Sequence, residues 1–364
     1  MAYSIFKEVT FTPNSFDKNI FLESERKFEK LLNALEDITD SGMILGITRQ
    51  WQKKVNEFLD KYDDNEKSEI KEIFKQLHAR QRIVSYPISK EFDDENNWIN
   101  QANQINEKRL FDVIIASKDS PTTKQIDHID RKFLKNKGAT VNKQTEEFMD
   151  VMLSPILSYA EIVTIIDPYF SFEHVRFQDA LEIICKNLAN HHGIKDEAIV
   201  EIQTSIKSMK ENNEFKWQKA DGWSKIINKY EEKYGHVITL KIWEEVKEDK
   251  WHERWIITDQ CGIFIGKGSD ISRWTDSTWS LLDWDELADI TNKFDENRKV
   301  YNFIGSVTSS GISKNQNPKG TTTYMTENEK VENRKEYLEK IEKDDQERLA
   351  KVNRTPKKFG KLKS

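Results

Sequence analysis

The sequence predicts an α/β protein: a mixed sheet flanked by helices, with a helix-rich N-terminal region and a charged C-terminal tail. Two observations carry that expectation. From about residue 144 onward, short β-branched runs alternate with segments of helical periodicity, the arrangement that covers a sheet with helices. The composition also suits it, because 37% hydrophobic and 11% aromatic residues in a 364-residue chain supply cores for two modest domains although 33% of residues are charged.

Taken in order, 22–39 and 50–80 space their apolar residues as helices do, for example Phe28, Leu31, Leu32 and Leu35, then Val55, Leu59, Ile70 and Leu77. Between them Met43 to Ile47 reads as a short strand beside Gly42 and Gly46. Residues 88–108 are polar and Asn-rich, a loop or weak helix, and Phe111 to Ala116 reads as a buried strand. A helix is expected over Phe148 to Leu157, then a strand over Ile162 to Ile166 that stops at Asp167-Pro168-Tyr169. Proline has no N–H to give a ladder, so the strand ends there and presents Asp167 at its C-terminal edge. Next come a helix from about Phe177 to Asn190, a strand at Ile199 to Gln203 and a helix over roughly 215–233. Strands at Val237 to Trp243, Arg254 to Thr258 and Gly262 to Ile265 complete the set.

The expected organisation is a helix-rich region over 1–110, a second domain over 111–304, a Gly/Ser/Thr/Asn linker over 305–326 and a charged helix with a basic tail over 327–364. The 327–350 stretch has too few apolar residues for its own core, so it reads as a solvated helix or a segment that binds a protein partner. The last fourteen residues carry six Lys or Arg and no acid, a solvated tail or a polyanion contact.

Cys185 and Cys261 follow neither metal-ligand nor disulfide spacing, residues 1–20 lack a leader pattern, and nowhere do eighteen apolar residues follow one another. A cytoplasmic protein with no membrane partner is expected. A formal net charge of -6 argues against coating nucleic acid by charge alone, since such binding neutralises many phosphates.

The segment WHERWIITDQCGIFIGKGSD carries the chemistry. His252 and Arg254 are two apart, so on a strand they share a face and can meet one phosphate. Asp259 follows after four further residues, and Gly266, Lys267, Gly268 and Ser269 form a turn. This pattern resembles the phospholipase D superfamily motif, His-x-Lys-x4-Asp followed by a Gly/Ser turn, and the strand ending in Asp-Pro-Tyr is similar to one in the same superfamily. With Arg at the lysine place, it is most similar to the phospholipase-D-like domain that follows MIT domains. The resemblance covers about 145–300 and leaves the N-terminal 110 residues unmatched, where the two short strands admit a decayed half of the same fold.

The resemblance implies a hydrolase of phosphodiesters, most readily a nuclease. His252 would attack phosphorus and form a covalent phosphohistidine, which splits one difficult displacement into two. A carboxylate on the other ring nitrogen would fix the tautomer, with Asp259 orienting or structural. Arg254, Lys267 and backbone N–H groups of the turn would hold the phosphoryl oxygens, with Asp167 nearby. The chemistry calls for no metal and no cofactor.

Two departures matter. Arginine binds phosphate bidentately and keeps its charge, so binding should survive the exchange better than turnover. Only one such histidine is in frame, since His174-Val175-Arg176 lacks the following acid, so a complete site would need a homodimer with facing His252 residues. The leading expectation is a metal-independent nuclease acting on nucleic acid, by analogy an effector of bacterial anti-phage defence. The alternative is an inactive module that recognises phosphate on nucleic acid, phospholipid or a partner protein. Among other candidates, His191-His192-Gly193 reads as a turn rather than a metal site. Trp243, Trp251, Trp255, Trp274, Trp279 and Trp284 read as core more than as a stacking or lipid surface.

Overall fold

The computed structural model describes residues 5–21, 25–107, 111–141, 144–191, 194–195, 197–211, 214–215, 218–245, 251–271, 276–296 and 300–314. The chain divides into two compact units, Met1–Thr322 and Thr323–Ser364. The expected charged helix, basic tail and protein-partner segment of 327–364 lie outside the described residues, as do Trp274 and His192-Gly193.

The first part of the larger unit runs β1 (Lys7–Phe11), α1 (Lys18–Phe21), α2 (Glu25–Ser41), β2 (Gly42–Gly46), α3 (Trp51–Leu59), α4 (Asp64–Ala79), β3 (Ile83–Ser85), α5 (Glu95–Asn106) and β4 (Val113–Ile115). Its strands form an all-parallel sheet in the order β3-β2-β1-β4. Every residue of β1 and β2 is buried, as expected of parallel strands covered on both faces. Gly42 is demanded by the pairing, because a Cβ there would stand 2.5 Å from the Lys7 carbonyl oxygen. Asp63 caps α4 by accepting from the Asn65 and Glu66 N–H groups, which stops the expected 50–80 helix from running through and splits it in two.

The second part runs α6 (Arg131–Lys135), β5 (Gly138–Val141), α7 (Glu146–Leu157), β6 (Ile162–Ile166), α8 (Val175–Asn187), a small hairpin of β7 (Asn190–His191) and β8 (Ile194–Lys195), and β9 (Ile199–Ser205). A second hairpin, β10 (Lys210–Glu211) and β11 (Glu214–Phe215), precedes α9 (Gln218–Tyr234) and β12 (Val237–Glu244). There follow β13 (Trp255–Thr258), β14 (Gly262–Ile265), β15 (Ser277–Leu281), α10 (Trp284–Lys293), β16 (Asn302–Thr308) and β17 (Gly311–Lys314). Nine of these strands form a mixed sheet in the order β17-β16-β12-β9-β6-β13-β14-β15-β5. At its centre β6, β9 and β12 are parallel, and β13 runs antiparallel to β6.

The fold is α/β, with corrections to the expected organisation. The 1–110 region is not simply helix-rich, since it builds its own parallel sheet, and Phe111 to Ala116 belongs there because β4 pairs with β1 rather than with the second sheet. Among the described residues that sheet contains no antiparallel partner of the kind β13 gives β6. The 305–326 linker is overturned for its first ten residues: β16 and β17 form a hairpin on the edge of the large sheet, because alternate residues such as Gly305 and Val307 face inward. The polar 88–108 stretch contains α5, which buries Trp98, Ile99, Ala102 and Ile105 behind an Asp94 cap. Both sheets share one continuous core, so 1–314 is not two separate domains.

Tryptophans near the motif are core. Trp243, Trp251 and Trp255 pack with Phe294, Tyr301, Leu287 and Ile290 in a second apolar cluster, and Trp279 is fully buried in the main one. No helix among the described residues is long and apolar enough to cross a membrane.

Candidate functional site

The site lies at the C-terminal end of β6, where Pro168 stops the strand and the chain turns toward α8. Asp167 is 1% exposed there, and its Oδ1 accepts from the Tyr169 N–H at 2.9 Å. Its Oδ2 accepts from the Ser269 N–H at 2.9 Å and from the Ser269 hydroxyl at 3.0 Å. Burial pushes the Asp167 carboxyl above the usual carboxylate range, against the pull of the Ser269 and Tyr169 N–H groups and of Arg254.

Through Asp167 the end of β6 holds the turn after β14. Gly268 sits at φ +111, where a Cβ would stand 2.8 Å from Asp270 Oδ1 and 3.2 Å from Asp167 Oδ2, so only glycine fits. Gln144 braces the same turn by donating to the Gly268 and Asp270 carbonyls at 2.8 and 2.6 Å, and its own oxygen accepts from the Trp279 indole at 3.1 Å.

Above this floor opens a hollow of about 210 Å³ lined by Asp167, Tyr169, Arg176, Phe177, Arg254, Lys267 and Asp270. Arg254 enters from the segment just before β13, which starts one residue later than the expected strand, and its carbonyl still takes the Ile265 N–H at 2.9 Å. The guanidinium lies 4.9 Å from the Tyr169 ring centroid and donates to the Gly266 carbonyl at 3.4 Å. Its Nε–H is buried without a hydrogen-bond acceptor among the described residues, and the Asp167 oxygen is 4.0 Å away. Arg176, near the start of α8, ion-pairs with Asp270 at 3.2 Å, and burial raises the Asp270 carboxyl although Arg176 opposes it. Lys267 is exposed at the rim.

His252 is exposed and does not line the hollow. Its Nδ1 lies 3.3 Å from the Tyr169 hydroxyl, so Tyr169 touches both motif side chains and places them on one side of the chain. The expected carboxylate partner is thus a phenol. Asp259, expected beside the catalytic pair, is at the opposite end of β13, about 16 Å along an extended chain from Arg254. There its Oδ2 accepts from the Glu161 N–H at 3.2 Å and ties the start of β6 to the end of β13.

The turn also differs from expectation. Gly266 N–H donates to the Thr278 carbonyl at 2.8 Å and Ser269 N–H to Asp167, so these two amides are used within the protein and shape the hollow instead of facing a ligand. Tyr169, Arg176, Asp270 and Gln144 were missed as site residues. Tyr169 belongs to the Asp-Pro-Tyr signal, whereas the residues around Arg176 do not fit the motif and only tertiary folding brings it to Asp270.

No family model matches the chain, and no curated protein matches it. Among solved structures it is similar to TrmBL2, an archaeal chromatin protein whose structure is described as showing a novel mode of DNA binding. The identity is 11%, with 69% of this chain and 70% of that one covered, at a TM-score of 0.26. A likeness of that size carries no argument.

Proposed function

We propose that the hollow at the end of β6 recognises the phosphate of a phosphate ester. The observation that carries this reading is the convergence of Arg254, Arg176 and Lys267 on one small cavity. Guanidinium and ammonium groups gathered at one small cavity are the donors that make charge-assisted hydrogen bonds to phosphate oxygens. The resemblance of the His252, Arg254 and Gly266 to Ser269 pattern to phospholipase-D-like proteins supports the same ligand chemistry. Titrating inorganic phosphate while following thermal unfolding tests it: binding to the native state raises Tm, and Arg254→Gln is expected to abolish the rise. An equal rise in that variant would end the proposal.

A second reading, hydrolysis, is favoured by the exposed imidazole. With Nδ1–H donating to the Tyr169 oxygen, Nε2 turns a lone pair outward, the form that attacks phosphorus. The attack breaks the P–O ester bond, releases the alcohol after proton transfer from the facing His252 of a second copy, and leaves a phosphohistidine for water to cleave. In that reading the protein is a phospholipase-D-like nuclease in the cytoplasm, made complete by a homodimer and serving anti-phage defence. It ranks second because a phenol stabilises an imidazolium less than a carboxylate does, and because two turn amides are already used. Incubation with labelled DNA and RNA in EDTA decides it: cleavage lost in His252→Ala establishes hydrolysis, and no cleavage by the native chain leaves recognition alone.

A further inference from the structure

Recognition of phosphate leaves open what the phosphate is attached to, and the surroundings of the hollow narrow that choice. At about 210 Å³ it is smaller than the roughly 300–1,000 Å³ of pockets that enclose drug-sized ligands, so it has room for a phosphate and little else. The remainder of any ligand must lie outside, against the rim. There the chain places an exposed aromatic side chain, Tyr169, at 44% exposure. Arg254 packs against the Tyr169 ring, which holds the phenol in place as a platform.

Charge sets the second limit. Three cations line the hollow, but so do the carboxyls of Asp167 and Asp270, the exposed Glu253 adjoins Arg254 in sequence, and the whole chain carries -6. A polynucleotide lying across a surface needs a track of Lys and Arg to neutralise successive phosphates. One cationic hollow in an acidic chain suits one phosphate. Arg254 and Arg176 reach that hollow from different places, the segment just before β13 and the start of α8, which favours the greater charge and three free oxygens of a terminal monoester over the two of a diester.

We infer that the ligand is a terminal phosphomonoester carrying an aromatic group, a nucleoside 5′-monophosphate as the free nucleotide or as the end of a strand, with the phosphate in the hollow and the base on Tyr169. This rests on the phosphate reading above and deepens it.

Calorimetric titration of the full chain with adenosine 5′-monophosphate, ribose 5-phosphate, adenosine, and one oligonucleotide with and without a 5′-phosphate tests the inference. The nucleotide is expected to bind about tenfold tighter than ribose 5-phosphate, the scale of one stacked base. Adenosine is expected not to bind, and the phosphorylated strand to exceed its unphosphorylated twin about tenfold. The dependence on salt should have a slope near -1, about that of a single neutralised phosphate. The phosphorylated strand binding as the free nucleotide does extends the site to strand ends, and failure of the strand alone restricts it to the free nucleotide. Ribose 5-phosphate binding as tightly as the nucleotide overturns the role of the base. An unphosphorylated strand binding as tightly as its twin, with a slope of several units, overturns the terminal phosphate but leaves phosphate recognition standing. If none of the phosphate-bearing probes binds, and inorganic phosphate also leaves Tm unmoved, both readings fall together.

Discussion

The two sheets end differently at the C-terminal edges of their central strands. In the parallel sheet, β1 connects to β2 on one side and pairs with β4 on the other, which makes the β1–β4 crevice a switch point of the kind that holds ligands in open α/β sheets. Here the crevice is plugged from within. Glu95, at the start of α5, accepts from the Thr12 hydroxyl at 3.0 Å, from the Ser117 N–H at 2.6 Å and from the Ser117 hydroxyl. The edge of β6 is the reverse: a buried acid fastens the turn below, while above it three cations face a hollow with one guanidinium N–H unanswered. Topology alone would have selected the plugged edge. What separates scaffold from candidate site is whether the polar groups are already satisfied.

That contrast depends first on the joint between the sheets. Arg82, just before β3 and 2% exposed, donates to the Gln260 carbonyl at 2.9 Å and to the Thr39 carbonyl, between the rings of Phe6 and Trp284. Gln260 answers by donating to the Gln81 carbonyl at 2.9 Å. Arg82→Met keeps the stem but leaves Gln260's carbonyl buried and unpaired, an expected loss of about 3 kcal/mol in urea unfolding. A loss under about 1 kcal/mol would show the joint to be dispensable.

Next in size is Asp167→Asn. Asp167 faces two backbone N–H groups, those of Tyr169 and Ser269, and neither can turn round to accept, so one of them must meet the new amide's own N–H. About 2 kcal/mol of stability should go. The pH dependence gives a second check. Because burial raises the Asp167 carboxyl in the folded state, the folded protein holds that proton more tightly than the unfolded chain. Its contribution to stability is therefore fully present below the unfolded value and is lost as pH rises through the folded one. The Asn variant should lack this component, and a pH profile unchanged from the native would contradict the assignment.

Glu95→Gln should matter less, about 1 kcal/mol, although Glu95 also holds three donors. Two of its three donors are hydroxyls, and the Ser117 hydroxyl can rotate to accept from the new amide. If chemical denaturation finds Glu95→Gln as costly as Asp167→Asn, the distinction between rotatable and fixed donors is wrong for these two edges.

Much of the large sheet was legible in the sequence because β6, β9, β12, β13 and β14 are apolar runs of strand length between turn signals. The edge strands were not. In β15, Ser-Thr-Trp-Ser-Leu, hydroxyl residues take places in the ladder, and Gly138 to Val141 gains its strand identity only by pairing with it. The hairpin of β16 and β17 hid inside a Gly/Ser/Thr composition that reads as a linker, because local composition does not reveal that β12 needs a partner. In the site, the Arg254 position and the glycine turn followed from spacing. Spacing could not show that Asp259 sits at the far end of the same strand, nor that Arg176, 78 positions earlier, would share the hollow with Arg254.

Lys7 offers an effect no larger than that of Glu95 and the sharpest comparison with Arg254. Its ammonium is fully buried 5.0 Å from the Phe133 ring centroid, with no hydrogen-bond acceptor among the described residues. Both residues thus bury an unanswered cationic N–H, but Arg254 opens on a hollow that can admit an anion, whereas Lys7 is sealed beneath α6. Burial lowers the Lys7 ammonium below 10.5, with the Asp112 charge opposing. The folded state therefore sheds this proton more readily than the unfolded chain, and native stability should climb as pH rises from the folded value toward 10.5. Lys7→Met fills the same space without the charge, so at neutral pH it should be more stable than the native chain by about 1 kcal/mol. That advantage should shrink as pH approaches 10.5. Urea unfolding at two pH values checks both signs: a gap that widens on raising pH would mean that Lys7 is charged and satisfied, and that sealing a cation in this fold carries no penalty.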